Sequence, residues 1–237
     1  MKLFWVIITT IAVIVILVLL VDKIYRYVYY IKNFDFLNGE KFLAAGDYKK
    51  AEEHFKRAVK RKNRGALNNL ALLYYRQKKY ELAEEFFQSA VKKGDVNALN
   101  NLGSMYMELG RGSLAEDYYK KAISNGSIDA LNNLGNMYYL QKNYDLARQY
   151  YEEGMKKSNT DSINNLGNLY ENSDNYEEAE KFYKMAVGRG NVLAMNNLGL
   201  LYEKEKKYDE ARKYFEMASK HGFKEAEKKL ENLMEVV

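Results

Sequence analysis

The chain has 237 residues, 47% of them apolar and 29% charged, with a net charge of +5, no cysteine and no proline. Its apolar and aromatic content is too high for a disordered chain. The lack of thiols excludes a disulfide scaffold, a thiolate zinc site, an iron-sulfur cluster and a cysteine nucleophile.

Without proline, and with Ala, Leu, Glu, Lys and Tyr predominating, the composition points to an all-α fold. Residues 1–2 form a short flank. From Leu3 to Val21 run 19 uncharged residues, broken only by Thr9 and Thr10. As a helix this run spans about 28 Å, close to the hydrocarbon thickness of a bilayer. Trp5 stands near one end, and Tyr25, Tyr27, Tyr29 and Tyr30 with Lys23, Arg26 and Lys32 follow the other, as interfacial anchors do. The expectation is one transmembrane helix over 3–21 and a Tyr-rich juxtamembrane segment over 22–33. A cleaved signal peptide fits less well, because the run is long and bulky Asp-Lys-Ile-Tyr follows it. Lys2 and the amino terminus, set against Lys23, Arg26 and Lys32, favour a cytoplasmic C-terminal domain by one charge. The opposite orientation stays open.

From residue 34 to 223 the chain repeats itself. The strings ALNNLALLY, ALNNLGSMY, ALNNLGNMY, SINNLGNLY and AMNNLGLLY begin at Ala66, Ala98, Ala130, Ser162 and Ala194, in steps of 32 residues. A second series keeps the same phase: Ala51, Ala83, Ala115, Ala147, Ala179 and Ala211, each followed four residues later by Phe or Tyr. Within one unit Leu99, Leu102 and Tyr106 form one apolar stripe, and Ala115, Tyr119 and Ala122 another, so each unit is a helical hairpin. Gly94, Gly126, Gly190 and Gly222 close second helices where a left-handed residue is wanted. Before the array Phe34, Gly39 and Phe42 keep the phase without the NNLG string. After it, residues 224–237 supply one more helix, in which Ala226, Leu230 and Met234 hold the packing positions and Lys228 and Lys229 replace the asparagines. That helix reads as a solvating cap.

The pattern of Leu, Gly, Tyr, then Ala, Phe or Tyr, then Ala resembles the tetratricopeptide repeat, and the ALNNLG strings resemble its Sel-one-like sub-class. The departures are a period of 32, the missing terminal proline, Gly112 in place of the turn tyrosine, and Ala71 in place of glycine. The resemblance implies a right-handed superhelical solenoid of six hairpins over residues 34–223, with the first helices lining a concave groove.

On those first helices the positions opposite the core stripe carry two files of asparagine. One is Asn68, Asn100, Asn132, Asn164 and Asn196; the other is Asn69, Asn101, Asn133, Asn165 and Asn197. Asparagine is a poor helix former, so ten of them need a reason. A primary amide pairs with the N–H and C=O of an extended peptide whatever its sequence. Equivalent helices in adjacent repeats lie on the order of 10 Å apart, about the reach of three extended residues. The second file also resembles the asparagine ladder of the O-linked N-acetylglucosamine transferase repeat domain. The bland alternative is that the amides tie successive helices together.

The rest of the groove carries Leu72, Ser104, Asn136, Asn168 and Leu200 along its centre. Arg76, Glu108, Leu140, Asn172 and Lys204 follow one edge, with Asp129 and Asp161 near the entrances. A file of Lys and Arg is missing, which argues against nucleic acid. The lysines and arginines of residues 56–64 read as a solvated outer face. His54 and His221 lie in different repeats without metal-ligand spacing, and Gly110 to Ser113 lacks the ending of a phosphate loop. No cofactor, metal, catalytic residue or small-molecule substrate is therefore expected. The sequence reads as a membrane-anchored, non-catalytic scaffold that binds a peptide or protein segment. An accessory or self-assembling subunit of a membrane-bound enzyme complex comes second, and an enzyme third.

Overall fold

The computed structural model describes the backbone of residues 1–236 and the side chains of residues 1, 11, 13–31 and 33–233. Among the described residues there are thirteen helices and no strand. They are α1 (Lys2–Ala44), α2 (Tyr48–Lys60), α3 (Ala66–Arg76), α4 (Tyr80–Lys92), α5 (Val96–Glu108), α6 (Gly112–Ser124), α7 (Asp129–Leu140), α8 (Tyr144–Lys156), α9 (Thr160–Glu171), α10 (Tyr176–Val187), α11 (Val192–Lys204), α12 (Tyr208–Lys220) and α13 (Lys224–Val236). The chain divides into two compact units, Met1–Asn101 and Leu102–Val237, with the division inside α5.

One expectation is corrected. Among the described residues no helix is long and apolar enough to cross a membrane, so the single-pass membrane localisation and the membrane partnership read from residues 3–21 are not supported. Among the described side chains, Ile11 and the uncharged residues 13–21 are followed directly by Asp22, Lys23 and, one turn on, Arg26. The start of the expected span, residues 3–10, and Ala12 lie outside the described side chains. Residues 2–44 form one helix, with no break between the apolar run, the Tyr-rich segment and the first repeat.

In the first unit the C-terminal half of α1 pairs with α2, and α3 with α4. Gly39 lets the Phe55 ring lie flat on α1: a Cβ at residue 39 would sit 2.6 Å from that ring. The first hairpin thus keeps the repeat packing although it lacks the asparagines. Asp35, 4% exposed, fastens α2 to α1. His54 Nδ1 lies 3.0 Å from its Oδ1 and Arg61 Nη1 lies 2.9 Å from its Oδ2.

In the second unit α7 packs on α8, α9 on α10, and α11 on α12, each hairpin against the next. The buried stripe of each second helix is the one the repeat dictates: Ala115, Tyr119 and Ala122, Ala179, Tyr183 and Ala186, Ala211, Phe215 and Ala218. Asn143, Asn159, Asn175 and Asn191 cap their helices by accepting a backbone N–H three residues on. Gly126, at φ +90°, ends α6, and the backbone N–H of Ser127 returns 2.9 Å to the Ala122 carbonyl, closing the helix as a left-handed residue does. In α13 Ala226 and Leu233 are buried and Leu230 is partly buried, while the Met234 side chain lies outside the described residues.

Candidate binding groove

A polar cleft of about 500 Å³ opens on the first helices of the second unit, lined by Asn136, Tyr139, Leu140, Tyr151, Asn165, Asn168, Glu171 and Asn172. Sequence spacing had placed Asn136, Leu140, Asn168 and Asn172 on this face, and Asn165 in the second asparagine file. It had not placed Tyr139, Tyr151 and Glu171 there.

Tyr151 belongs to a second helix, yet its hydroxyl reaches the cleft and donates to Asn136 Oδ1 at 2.7 Å. Gly135 makes that possible, because a Cβ there would lie 2.5 Å from the Tyr151 ring. Gly167 and Tyr183 repeat the arrangement, and the single proton of the Tyr183 hydroxyl is shared between Asn168 Oδ1 at 2.7 Å and Glu171 Oε2 at 2.8 Å. In the hairpin before, Tyr119 reaches Ser104 at 3.2 Å over Gly103. Burial pushes the Tyr151 and Tyr183 phenols above the ordinary value of 10.0, and for Tyr183 the Glu171 carboxylate adds to it, so both stay protonated donors. The sequence signal for this was present: a helical glycine sixteen residues ahead of each tyrosine.

The two asparagine files play different parts. Asn68, Asn164 and Asn196 of the first file are buried. The second file donates to it across repeats: Asn101 Nδ2 to Asn68 Oδ1 at 2.9 Å, Asn165 Nδ2 to Asn132 Oδ1 at 2.9 Å, and Asn197 Nδ2 to Asn164 Oδ1 at 3.0 Å. Asn165 and Asn197 also donate to Asn136 Oδ1 and Asn168 Oδ1, at 2.9 and 3.1 Å. Asn69 donates instead to Glu40 at 3.2 Å, since α1 carries no asparagine at the matching place. Asn100 and Asn133 are also engaged in contacts. Among the described residues the Oδ1 atoms of Asn101 and Asn197 accept no hydrogen bond, nor does the Nδ2 of Asn136 donate one. At the end of the file Asn196 Oδ1 is buried without a partner. Lys229, which replaces the next asparagine, pairs instead with Glu203 at 2.9 Å.

Outside the cleft His54 stacks on Phe42, with ring centroids 5.4 Å apart, and pairs with Asp35. Among the described residues no group of three or more His, Asp or Glu is placed to hold a metal ion.

Tetratricopeptide repeat models match residues 36–98, 95–157, 160–189 and 192–221. No curated protein matches the chain. Among solved structures the fold is similar to c5321, a protective antigen of uropathogenic Escherichia coli displaying an SLR fold, with 20% identity and a TM-score of 0.56 over 85% of this chain and 48% of that one. The chain therefore spans about half the length of that relative. It is similar also to Pseudomonas aeruginosa pilF, with 23% identity and a TM-score of 0.56 over 66% of this chain and 75% of that one. The Cut9-Hcn1 hetero-tetramer of the APC/C gives 16% identity and a TM-score of 0.59 over 82% of this chain and 41% of its counterpart. At these identities the likeness is one of fold alone. The repeat models, the 32-residue period and the stacked hairpins agree: this chain is a tetratricopeptide-like helical repeat protein.

Proposed function

We propose that the chain is a non-catalytic scaffold that holds an extended segment of a partner protein against the first helices of its repeats. The observation that carries this reading is the division of labour within the second asparagine file. The Nδ2 atoms of Asn101 and Asn197 brace neighbouring repeats and their oxygens accept no hydrogen bond among the described residues, whereas Asn165, which lines the cleft, uses its oxygen to accept from Asn164 and Asn168. An extended backbone presents N–H groups to such acceptors irrespective of side chains. The cleft between α7 and α9 adds Tyr139 and Leu140, and Leu140 is 71% exposed, an apolar contact for the segment's side chains. Among the residues lining the cleft Glu171 is the single charged group, and none is cationic, which does not suit a phosphate backbone.

The test is titration of a peptide selected from a random display library against wild type and the Asn101→Ala, Asn133→Ala, Asn165→Ala triple variant, with a thermal melt alongside. Each lost contact to the peptide backbone costs about 0.5–1.5 kcal/mol, so affinity falls roughly tenfold to a thousandfold. The melting temperature also falls, because the amides of Asn101 and Asn165 brace the repeats. Unchanged affinity in a folded variant removes the asparagines from the binding surface.

A further inference from the structure

The chain carries a net charge of +5, yet the helices on either side of the cleft run against that balance. Asp129 is the only charged residue of α7, and Asp161 and Glu171 are the only ones of α9, so the two helices bring three acids and no Lys or Arg. Asn159 donates to Asp129 at 3.4 Å and Asn191 to Asp161 at 2.8 Å, neutral partners that leave both charges in place.

Glu171 is the acid that lines the cleft. Its Oε2 accepts from the Tyr183 hydroxyl, and among the described residues it forms no ion pair. In the next repeat the equivalent Glu203 is neutralised by Lys229 at 2.9 Å. Lys204, a cation near Glu171, is drawn to the Tyr176 ring, with its Nζ 4.6 Å from the centroid. The second oxygen of Glu171 is thus held in the cleft without a protein donor. Across from it Asn136 Oδ1 takes bonds from Tyr151 and Asn165, which turns its Nδ2 out as a donor. Asn172 donates to the Tyr139 hydroxyl and leaves its own Oδ1 to accept. The wall therefore offers a donor for a backbone carbonyl, an acceptor for a backbone N–H, and a fixed carboxylate.

We propose that this cleft selects a partner segment bearing a lysine or arginine, whose cationic head pairs with Glu171 while Asn136 and Asn172 hold the flanking backbone. The proposal rests on the groove-binding reading above and adds the charge of the occupant. A carboxylate fixed by a phenol, in a wall whose other polar groups are neutral, discriminates by charge: a cation gains a charge-assisted bond, and an acidic side chain meets an uncompensated negative charge.

The experiment pans a display library of short random peptides on the full chain, then measures one selected peptide by fluorescence anisotropy at low and high salt. Its Lys or Arg is replaced by norleucine or citrulline, and the protein carries Glu171→Gln, which keeps an acceptor for Tyr183. Glu177→Gln, an exposed charge on α10, is the control. Asn136→Ala and Leu140→Arg report on the cleft itself. The expected result is enrichment of Lys and Arg among selected peptides. Either neutralisation then lowers affinity about tenfold. The two together cost little more than one, high salt reduces the difference, and Glu177→Gln has no effect. Additive losses, or selected peptides without a cation that still lose affinity on Leu140→Arg, overturn the charge selection and leave the groove reading standing. A library that yields no binder, or binders indifferent to both Asn136→Ala and Leu140→Arg, overturns the groove reading and the selection with it.

Discussion

Ser162 and Gly154 form a matched departure from the repeat. Where other hairpins carry Ala90 with Ala98, Ala122 with Ala130, and Ala186 with Ala194, this one carries Gly154 with Ser162. The Ser162 hydroxyl is buried without a hydrogen-bond partner, and a Cβ at residue 154 would lie 2.2 Å from it. Glycine at 154 is thus the accommodation to the serine. Gly154→Ala alone destabilises the protein despite the better helix former. Ser162→Ala stabilises it by about 1 kcal/mol by removing an unsatisfied buried group. The double variant restores the Ala pair of the other hairpins and is more stable than Gly154→Ala by more than Ser162→Ala gains over wild type, that is by about 2 kcal/mol or more, as seen in urea denaturation. An additive result would mean that the two residues do not communicate.

Between elements a recurring clamp joins the second helix of one hairpin to the first helix of the next. Glu116 on α6 takes the Lys120 ammonium at 2.6 Å and the Tyr138 hydroxyl of α7 at 2.8 Å. Glu52 with Lys56 and Tyr74, and Glu180 with Lys184 and Tyr202, repeat it. The Lys120 ammonium, then the Tyr138 hydroxyl, holds the Glu116 carboxyl below its ordinary 4.5. This contribution to stability is fully present above pH 4.5 and is lost as pH falls through the lowered value. Burial first, then the Glu180 carboxylate, raises Tyr202 from 10.0 to about 12, so its contribution is present below pH 10.0 and lost as pH rises through about 12. Glu116→Gln accordingly lowers the melting temperature at pH 7, and the difference from wild type shrinks in acid. A difference that persists at pH 2 assigns the effect to packing. This clamp was not legible in the sequence, because the spacing shows which face a residue occupies but not which residue of the next hairpin stands opposite. The same limit left the tying of successive helices by the asparagines an alternative without named partners, and hid the reach of Tyr151 into the cleft. The hairpins, their turns and the cleft positions 136, 140, 168 and 172 were legible, since a 32-residue period fixes phase along each helix. The continuity of α1 was not anticipated, although no proline or glycine separates Asp22 from Phe34 to stop the helix.

At the scale of the molecule each hairpin buries its faces only against its neighbours, so stability is a sum of local terms. Tyr151, 1% exposed, fills the space over Gly135. Tyr151→Ala costs about 3 kcal/mol or more and in hydrogen exchange loosens α7 and α8 first. Equal loss of protection across all hairpins would contradict a nearest-neighbour array. The central claim is that the cleft face binds the partner segment, and the most direct measurement compares two arginine substitutions of exposed leucines. Leu140 lines the cleft and is 71% exposed; Leu114 lies on α6, outside the cleft residues, and is 40% exposed. Neither supports the core, so both variants fold. Titrated with a library-selected peptide, Leu140→Arg loses binding and Leu114→Arg retains it; wild-type affinity in Leu140→Arg would contradict the account.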